Sequence, residues 1–319
     1  MKHTLAIIAL VAVAGFLVSA GPSASKGGLV VHGVRWETSL EAAKNAATID
    51  RKPILHLQSF GKPGDPMACT NTRTLTATLL KDPQMIELMK GSVPSWELVR
   101  EAAKVTIDFG GGKIVKRTLR GNTCLYVLRS DGTVVDAFPG VYEPARLLPE
   151  LKKALEMVNW APEKVAEWHR DAARTAERVA RIAVASSKSG VESPLLATTV
   201  PDTAIKIPVG ASKSETAFLR GAAQLFDVSS LPMSPMNARS AGGFNSGSTP
   251  KERGVRMLQL ETDVNLTSVR GVVHLWLASL EKPITAPEAK RTMFETILHI
   301  NYTDPYMGLK DVELPGSEG

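Results

Sequence analysis

Ile54-Leu55-His56-Leu57-Gln58-Ser59-Phe60 is followed by Gly61-Lys62-Pro63-Gly64-Asp65-Pro66-Met67-Ala68, and then by Cys69-Thr70-Asn71-Thr72-Arg73. The first run is apolar and half alternating, the pattern of a buried strand. The second is punctuated by Gly and Pro and reads as a loop. The third opens a helical pattern that runs to about Leu80. A cysteine on the first turn of a helix meets unsatisfied N–H groups and the positive end of the helix dipole. Both favour thiolate over thiol, so Cys69 is the candidate nucleophile.

Outward from this stretch the elements alternate. Val30 to Trp36 reads as an edge strand, and Ser39 to Asp50 as a helix with Ser39 as its N-cap. After Cys69 the helix breaks at Asp82-Pro83, a short helix follows from Gln84 to Lys90, and Ser92 to Val99 is a strand. Val105 to Phe109 and Lys113 to Leu119 form a hairpin across Gly110-Gly111-Gly112. No Lys-Ser/Thr follows those glycines and no helix opens there, so they are not a phosphate loop. Thr123 to Arg129 and Thr133 to Ala137 form a second hairpin around Asp131-Gly132. Pro144 to Val158 is a helix. The expected class is α/β: a central sheet flanked by helices, with an inserted hairpin, followed by a mostly helical C-terminal region.

That C-terminal region, residues 159–319, begins with a long helix from Pro162 to Lys188. Val165, Trp168, Ala172 and Ala176 mark one face; Arg170, Arg174, Arg178 and Arg181 mark another, read as solvated. Ser212 to Phe226 is a further candidate helix. Residues 229–250, rich in Ser, Pro, Gly, Asn and Met, read as a loose segment. Arg253 to Glu281 suits either helix or strand, and Ala286 to Ile300 reads as a helix with Pro287 in its first turn.

The chain has 319 residues, of which 44% are apolar and 22% charged, which excludes a disordered polymer and suits one large or two modest domains. The formal charge of +6 is dispersed, so no nucleic-acid footprint is expected. Residues 1–20 read as a cleavable signal peptide: Lys2, an apolar run from Leu5 to Val18, and Val18-Ser19-Ala20. The run is shorter than the roughly 20 residues a span needs, so a secreted or periplasmic protein without a membrane span is expected. The two cysteines, Cys69 and Cys124, either pair as a disulfide or carry reactivity. Six histidines are scattered without metal-ligand spacing, so no metal and no cofactor are expected. His56 reads as a packed strand residue.

Trp36, the helix, Lys52-Pro53-Ile54-Leu55, the strand, Cys69, its helix and Asp82-Pro83 together resemble exported thioredoxin-like proteins. Arg120-Gly121-Asn122-Thr123-Cys124-Leu125-Tyr126-Val127-Leu128-Arg129-Ser130-Asp131-Gly132 resembles the later segment of that family, which leads into its last hairpin. The likeness covers about residues 30–157 and implies a thioredoxin-like domain from 29 to 158. It also implies that Cys69 is the nucleophile. Two departures stand out. Thr72 replaces the second cysteine of Cys-x-x-Cys, and Thr123 replaces the cis-proline.

The resemblance makes Thr72 a hydroxyl partner of the sulfur and Cys124 a resolving thiol near Cys69. Asn122 and Thr123 then form the substrate loop. Arg73, one turn on, is either a cation that lowers the thiol pKa or a surface arginine. Two functions are expected. One is monothiol redox chemistry on a protein thiol or peroxide. The other is a binding module of the cell envelope that has lost redox activity.

Overall fold

The computed structural model describes residues 28–119, 121–188 and 250–307. The expected signal peptide, the helix at 212–226 and the loose segment up to residue 249 lie outside the described residues. The protein is a mixed α/β structure built on a mixed sheet.

Leu29–Val31 (β1) and Val34–Trp36 (β2) pair antiparallel instead of forming the one strand expected from Val30 to Trp36. The reason is His32-Gly33, both at positive φ, a two-residue turn whose hand matches the strand twist. Leu40–Asp50 (α1) is capped by Ser39, whose hydroxyl accepts from the Ala42 N–H. Ile54–Phe60 (β3) leads through the Cys69 loop to Thr70–Ala77 (α2), a 3₁₀ turn at Leu79–Lys81, and Pro83–Lys90 (α3), which Asp82 caps.

Val93–Arg100 (β4) follows, then the hairpin Ala103–Asp108 (β5) and Ile114–Leu119 (β6). Thr123–Leu128 (β7), Val134–Pro139 (β8) and Pro144–Met157 (α4) close the first half. Pro162–Lys188 (α5) is the expected long helix. The segment that suited helix or strand is helical. Pro250–Val264 (α6) runs into a π-helical turn, Asn265–Val269, and on into Arg270–Ser279 (α7). Ala286–Arg291 (α8) ends in a second π-helical turn, Thr292–Ile297.

The main sheet has the order β4-β3-β7-β8. β3 and β4 are parallel; β7 is antiparallel to both β3 and β8. Alternation along the strands builds two cores, one per face. Leu55, Leu57, Leu125 and Val127 pack with Leu75, Met85, Leu147 and Leu151 from α2, α3 and α4. Ile54, Phe60, Cys124 and Tyr126 pack with Ala43 and Ala47 of α1 and with Val273, Phe294 and Ile297 from the C-terminal helices. The helical half therefore docks on the sheet and shares its core.

Helices α6 and α7 run past the outer edge of β8. An open edge strand leaves unpaired backbone groups, which buried positions do not tolerate. Here side chains take them. The Val135 carbonyl accepts from His169, the Ala137 carbonyl accepts from Arg270, and the Ala137 N–H donates to the carboxylate of Asp136. Asn265 donates to the Val141 carbonyl, in a close approach that only a glycine at position 140 permits. A Cβ there would stand 2.4 Å from the Asn265 amide.

Candidate functional site

Cys69 sits where the sequence places it, as the N-cap of α2. Its sulfur accepts from the Thr72 N–H at 3.4 Å and lies 3.2 Å from the Thr72 hydroxyl. That hydroxyl donates to the Phe60 carbonyl at 3.0 Å, which also accepts from the Cys69 N–H. A hydroxyl has one proton. That proton can turn to the Phe60 carbonyl or to the sulfur, so the hydroxyl can also support charge on the sulfur. The sulfur caps α2 by accepting from the Thr72 N–H.

Two glycines close the corner. Gly121, at φ +119°, lies so near that a Cβ would stand 2.8 Å from the Cys69 Cβ and 2.9 Å from that of Phe60. Gly61, at φ +81°, packs equally tightly on Ala68. Cys69 is 1% exposed. Burial pushes its thiol pKa up, and the hydrogen bonds from Thr72 and the charge of Arg73 only partly oppose this. The expected thiolate stabilisation at the helix end is thus outweighed by desolvation. Arg73 is exposed, and its guanidinium donates to the Thr70 hydroxyl.

Asn122 clamps the facing loop. Its side-chain oxygen accepts from the Asn71 amide at 2.7 Å and from the Thr123 N–H at 2.8 Å. Thr123 is buried and donates its hydroxyl proton to the Gly140 carbonyl. Cys124 lies on β7 between Gln58 and Pro139, and its thiol pKa is raised by burial. Cys69 and Cys124 are both free thiols in the same core cluster. Of the sequence candidates, Cys69 and Thr72 are in direct contact, and Asn122 reaches their helix through Asn71. Arg73 points outward.

A second polar centre carries no local sequence signal. Arg270 on α7 donates to both oxygens of Asp136 on β8, at 2.6 and 2.9 Å, and stacks 4.2 Å from the centre of the Phe138 ring. His169 on α5 and His274 on α7 face each other through their Nδ1 atoms at 2.8 Å. The Val135 carbonyl can only accept, so His169 carries its proton on Nε2, and His274 donates its Nδ1–H to His169. Burial lowers the pKa of both histidines, that of His274 strongly. Burial acts to raise the Asp136 carboxyl, but Arg270 and His169 hold it down to about 2.

Donor atoms of Asp136, His169 and His274 all lie within 4.8 Å of one another. The arrangement nevertheless suits a proton better than a metal. Two nitrogens on a tetrahedral zinc, each at about 2.0–2.1 Å, stand more than ~3 Å apart, so the hydrogen-bonded pair would have to spread. Both carboxylate oxygens also face the Arg270 cation, which repels a second one. Beside His169 opens a cavity of about 300 Å³, whose lining includes Val165, Leu277, Arg170, Glu163, Glu281 and Lys282.

His56 belongs to a third network. Its Nδ1 lies 3.1 Å from the Ser95 hydroxyl and its Nε2 3.3 Å from the Glu97 carboxylate, which also accepts from Gln58 and Lys290. Serine, histidine and glutamate in that order suggest a hydrolytic triad. His56 and Ser95 are fully buried as register partners on parallel strands, so no substrate reaches them. The trio serves to satisfy polar groups inside the sheet.

No protein-family model, curated protein or solved structure matches the chain.

Proposed function

We propose that the chain is an exported thioredoxin-like module that works by binding, its ancestral thiol site having become a structural cap. Lys2, the apolar run to Val18 and Val18-Ser19-Ala20 support export. The order β4-β3-β7-β8, with β3 and β4 parallel and a helix opening at Cys69 after β3, supports the thioredoxin-like reading. The observation that carries this reading is the burial of Cys69, which is 1% exposed and whose thiol pKa is raised by desolvation. Its sulfur caps α2 through the Thr72 N–H, and Gly121 packs against its Cβ.

Redox catalysis on a protein thiol or peroxide is the second reading. It is favoured by the Thr72 N–H on the sulfur, a bond that would hold a thiolate once the corner opened. Alkylation separates the two. In a Cys124→Ala background, native Cys69 should react with iodoacetamide far more slowly than in denaturant, and its pH profile should lie above the ordinary thiol value of about 8.5. Rapid labelling at neutral pH, with formation of a sulfenic acid on peroxide addition, would overturn the binding reading.

A further inference from the structure

We infer that the β5–β6 ribbon is a contact arm for anionic lipid bilayers. The ribbon forms a two-stranded sheet of its own, paired with no strand of the main sheet. Its register places Val105 opposite Arg117 and Ile107 opposite Val115, and Phe109 closes the end by donating to the Lys113 carbonyl. Side chains directly opposite share a face. One face therefore carries Val105, Ile107, Phe109, Val115 and Arg117; the other carries Lys104, Thr106, Asp108, Ile114, Lys116 and Thr118.

The tip is open to solvent. Phe109 is 66% exposed, Ile114 57% and Ile107 40%. Gly110, Gly111 and Gly112 turn the chain with three successive positive φ angles, and a Cβ on any of them would meet nothing within 4 Å. Three large exposed apolar side chains at one end of the ribbon, Ile107 and Phe109 on one face and Ile114 on the other, mark a contact surface, whereas scattered ones do not.

The charge around them chooses the partner. Lys104, Lys113, Lys116 and Arg117 are all exposed, and none is ion-paired among the described residues. The single acid, Asp108, spends a carboxylate oxygen on the Gly110 N–H. Four cations against one anion suit an anionic headgroup layer, with the apolar tip entering the acyl boundary. A second copy of the chain fits badly, because two such ribbons repel. A protein strand added to the ribbon edge would have no use for the exposed Phe109 at its end.

This deepens the binding-module reading by naming its surface and partner, and its test is independent of the thiol. The mature chain from Gly21 is sedimented with vesicles of phosphatidylcholine alone and of phosphatidylcholine mixed with phosphatidylglycerol. Binding is expected to the mixed vesicles only, and to weaken as salt rises. Ile107→Ser with Phe109→Ser should lower it about tenfold or more, and Lys113→Glu with Lys116→Glu should do the same. Unchanged far-UV circular dichroism and melting would show that both variants fold. Three results would overturn the inference: no sedimentation with either vesicle, sedimentation that ignores both pairs of substitutions, or a ribbon-dependent dimer by analytical ultracentrifugation. A reactive Cys69 would remove the module reading and leave the vesicle result standing.

Discussion

The Cys69 corner and the Asp136 cluster solve one problem at two length scales. In the first, sulfur, hydroxyl and carbonyl lie within 12 residues of one another along the chain, and their hydrogen bonds join the end of β3 to the helix that follows it. In the second, the ion pair spans 134 residues and the histidine pair 105. The corner is neutral and can lose one partner cheaply. The cluster holds full charges away from water and anchors two helices to a sheet edge, so each partner depends on the other for solvation. The difference teaches where the cohesion between the two halves resides: in a few charged and hydrogen-bonded groups set among the apolar contacts.

The largest expected effect tests that asymmetry directly. Arg270→Met should cost about 3–5 kcal/mol in urea denaturation, because it strands the Asp136 carboxylate and leaves the Ala137 carbonyl without its donor. Adding Asp136→Leu should recover part of the loss, since no lone charge then remains buried. A cost no greater than that of a Cys69 substitution would break the comparison.

The next effect is the pH dependence the cluster contributes, beside which Glu261, raised to about 7 by desolvation, acts in the opposite direction. The folded pKa values of His169 and His274 lie below the unfolded value of about 6.5, so the unfolded chain binds more protons as pH falls through that value. Stability should therefore fall with falling pH from about 6.5 downward, at about 1.4 kcal/mol per pH unit for each histidine. The charges facing the pair are Asp136 and Arg270 within the cluster, and Arg129, Arg170, Glu163, Glu281 and Lys282 around the cavity. His274→Gln should flatten the slope seen in urea midpoints between about pH 7 and pH 5. Asp136 acts at lower pH: held at about 2, it gives stability that is full above about 3.9 and lost as pH falls through 2.

The smallest effect sharpens the account of the corner. Cys69→Ala removes the cap of α2 and should cost about 1 kcal/mol, whereas Cys69→Ser keeps a capping oxygen and should cost less. Thermal melts of the two variants measure the gap. Equal losses would mean that the sulfur matters for packing and not as a cap.

Much of the architecture was legible because its causes are local. Ser39 and Asp82 cap their helices, Asp131-Gly132 turns a hairpin, and the alternation in β3 and β7 follows the pleat. The position of Cys69 at a helix start was legible for the same reason. Its chemistry was not. A helix end tells where a sulfur stands, while the depth of its burial depends on Gly121 arriving from 52 residues away. The same limit hid His169 and His274, which share no spacing that a metal or catalytic pattern would flag. It also hid the hairpin at β1–β2, where His32 takes a left-handed conformation that residue type alone does not announce.

One further consequence belongs to the π-helical turn Asn265–Val269. There the Arg270 N–H reaches back five residues to the Asn265 carbonyl, so the segment holds one residue more than an α-helix would. Each residue advances an α-helix by about 100°. Deleting one residue here would restore regular winding and swing the two flanks against each other by that angle. Thr262 and Asn265, which hold the Glu143 N–H and the Val141 carbonyl, could then no longer face the sheet together with Arg270 and His274. Segment length thus becomes a diagnostic for relatives of this chain. Those with a gap at 265–269 must have surrendered one anchor or the other, and those without it are the ones in which to look for the same aspartate, arginine and paired histidines.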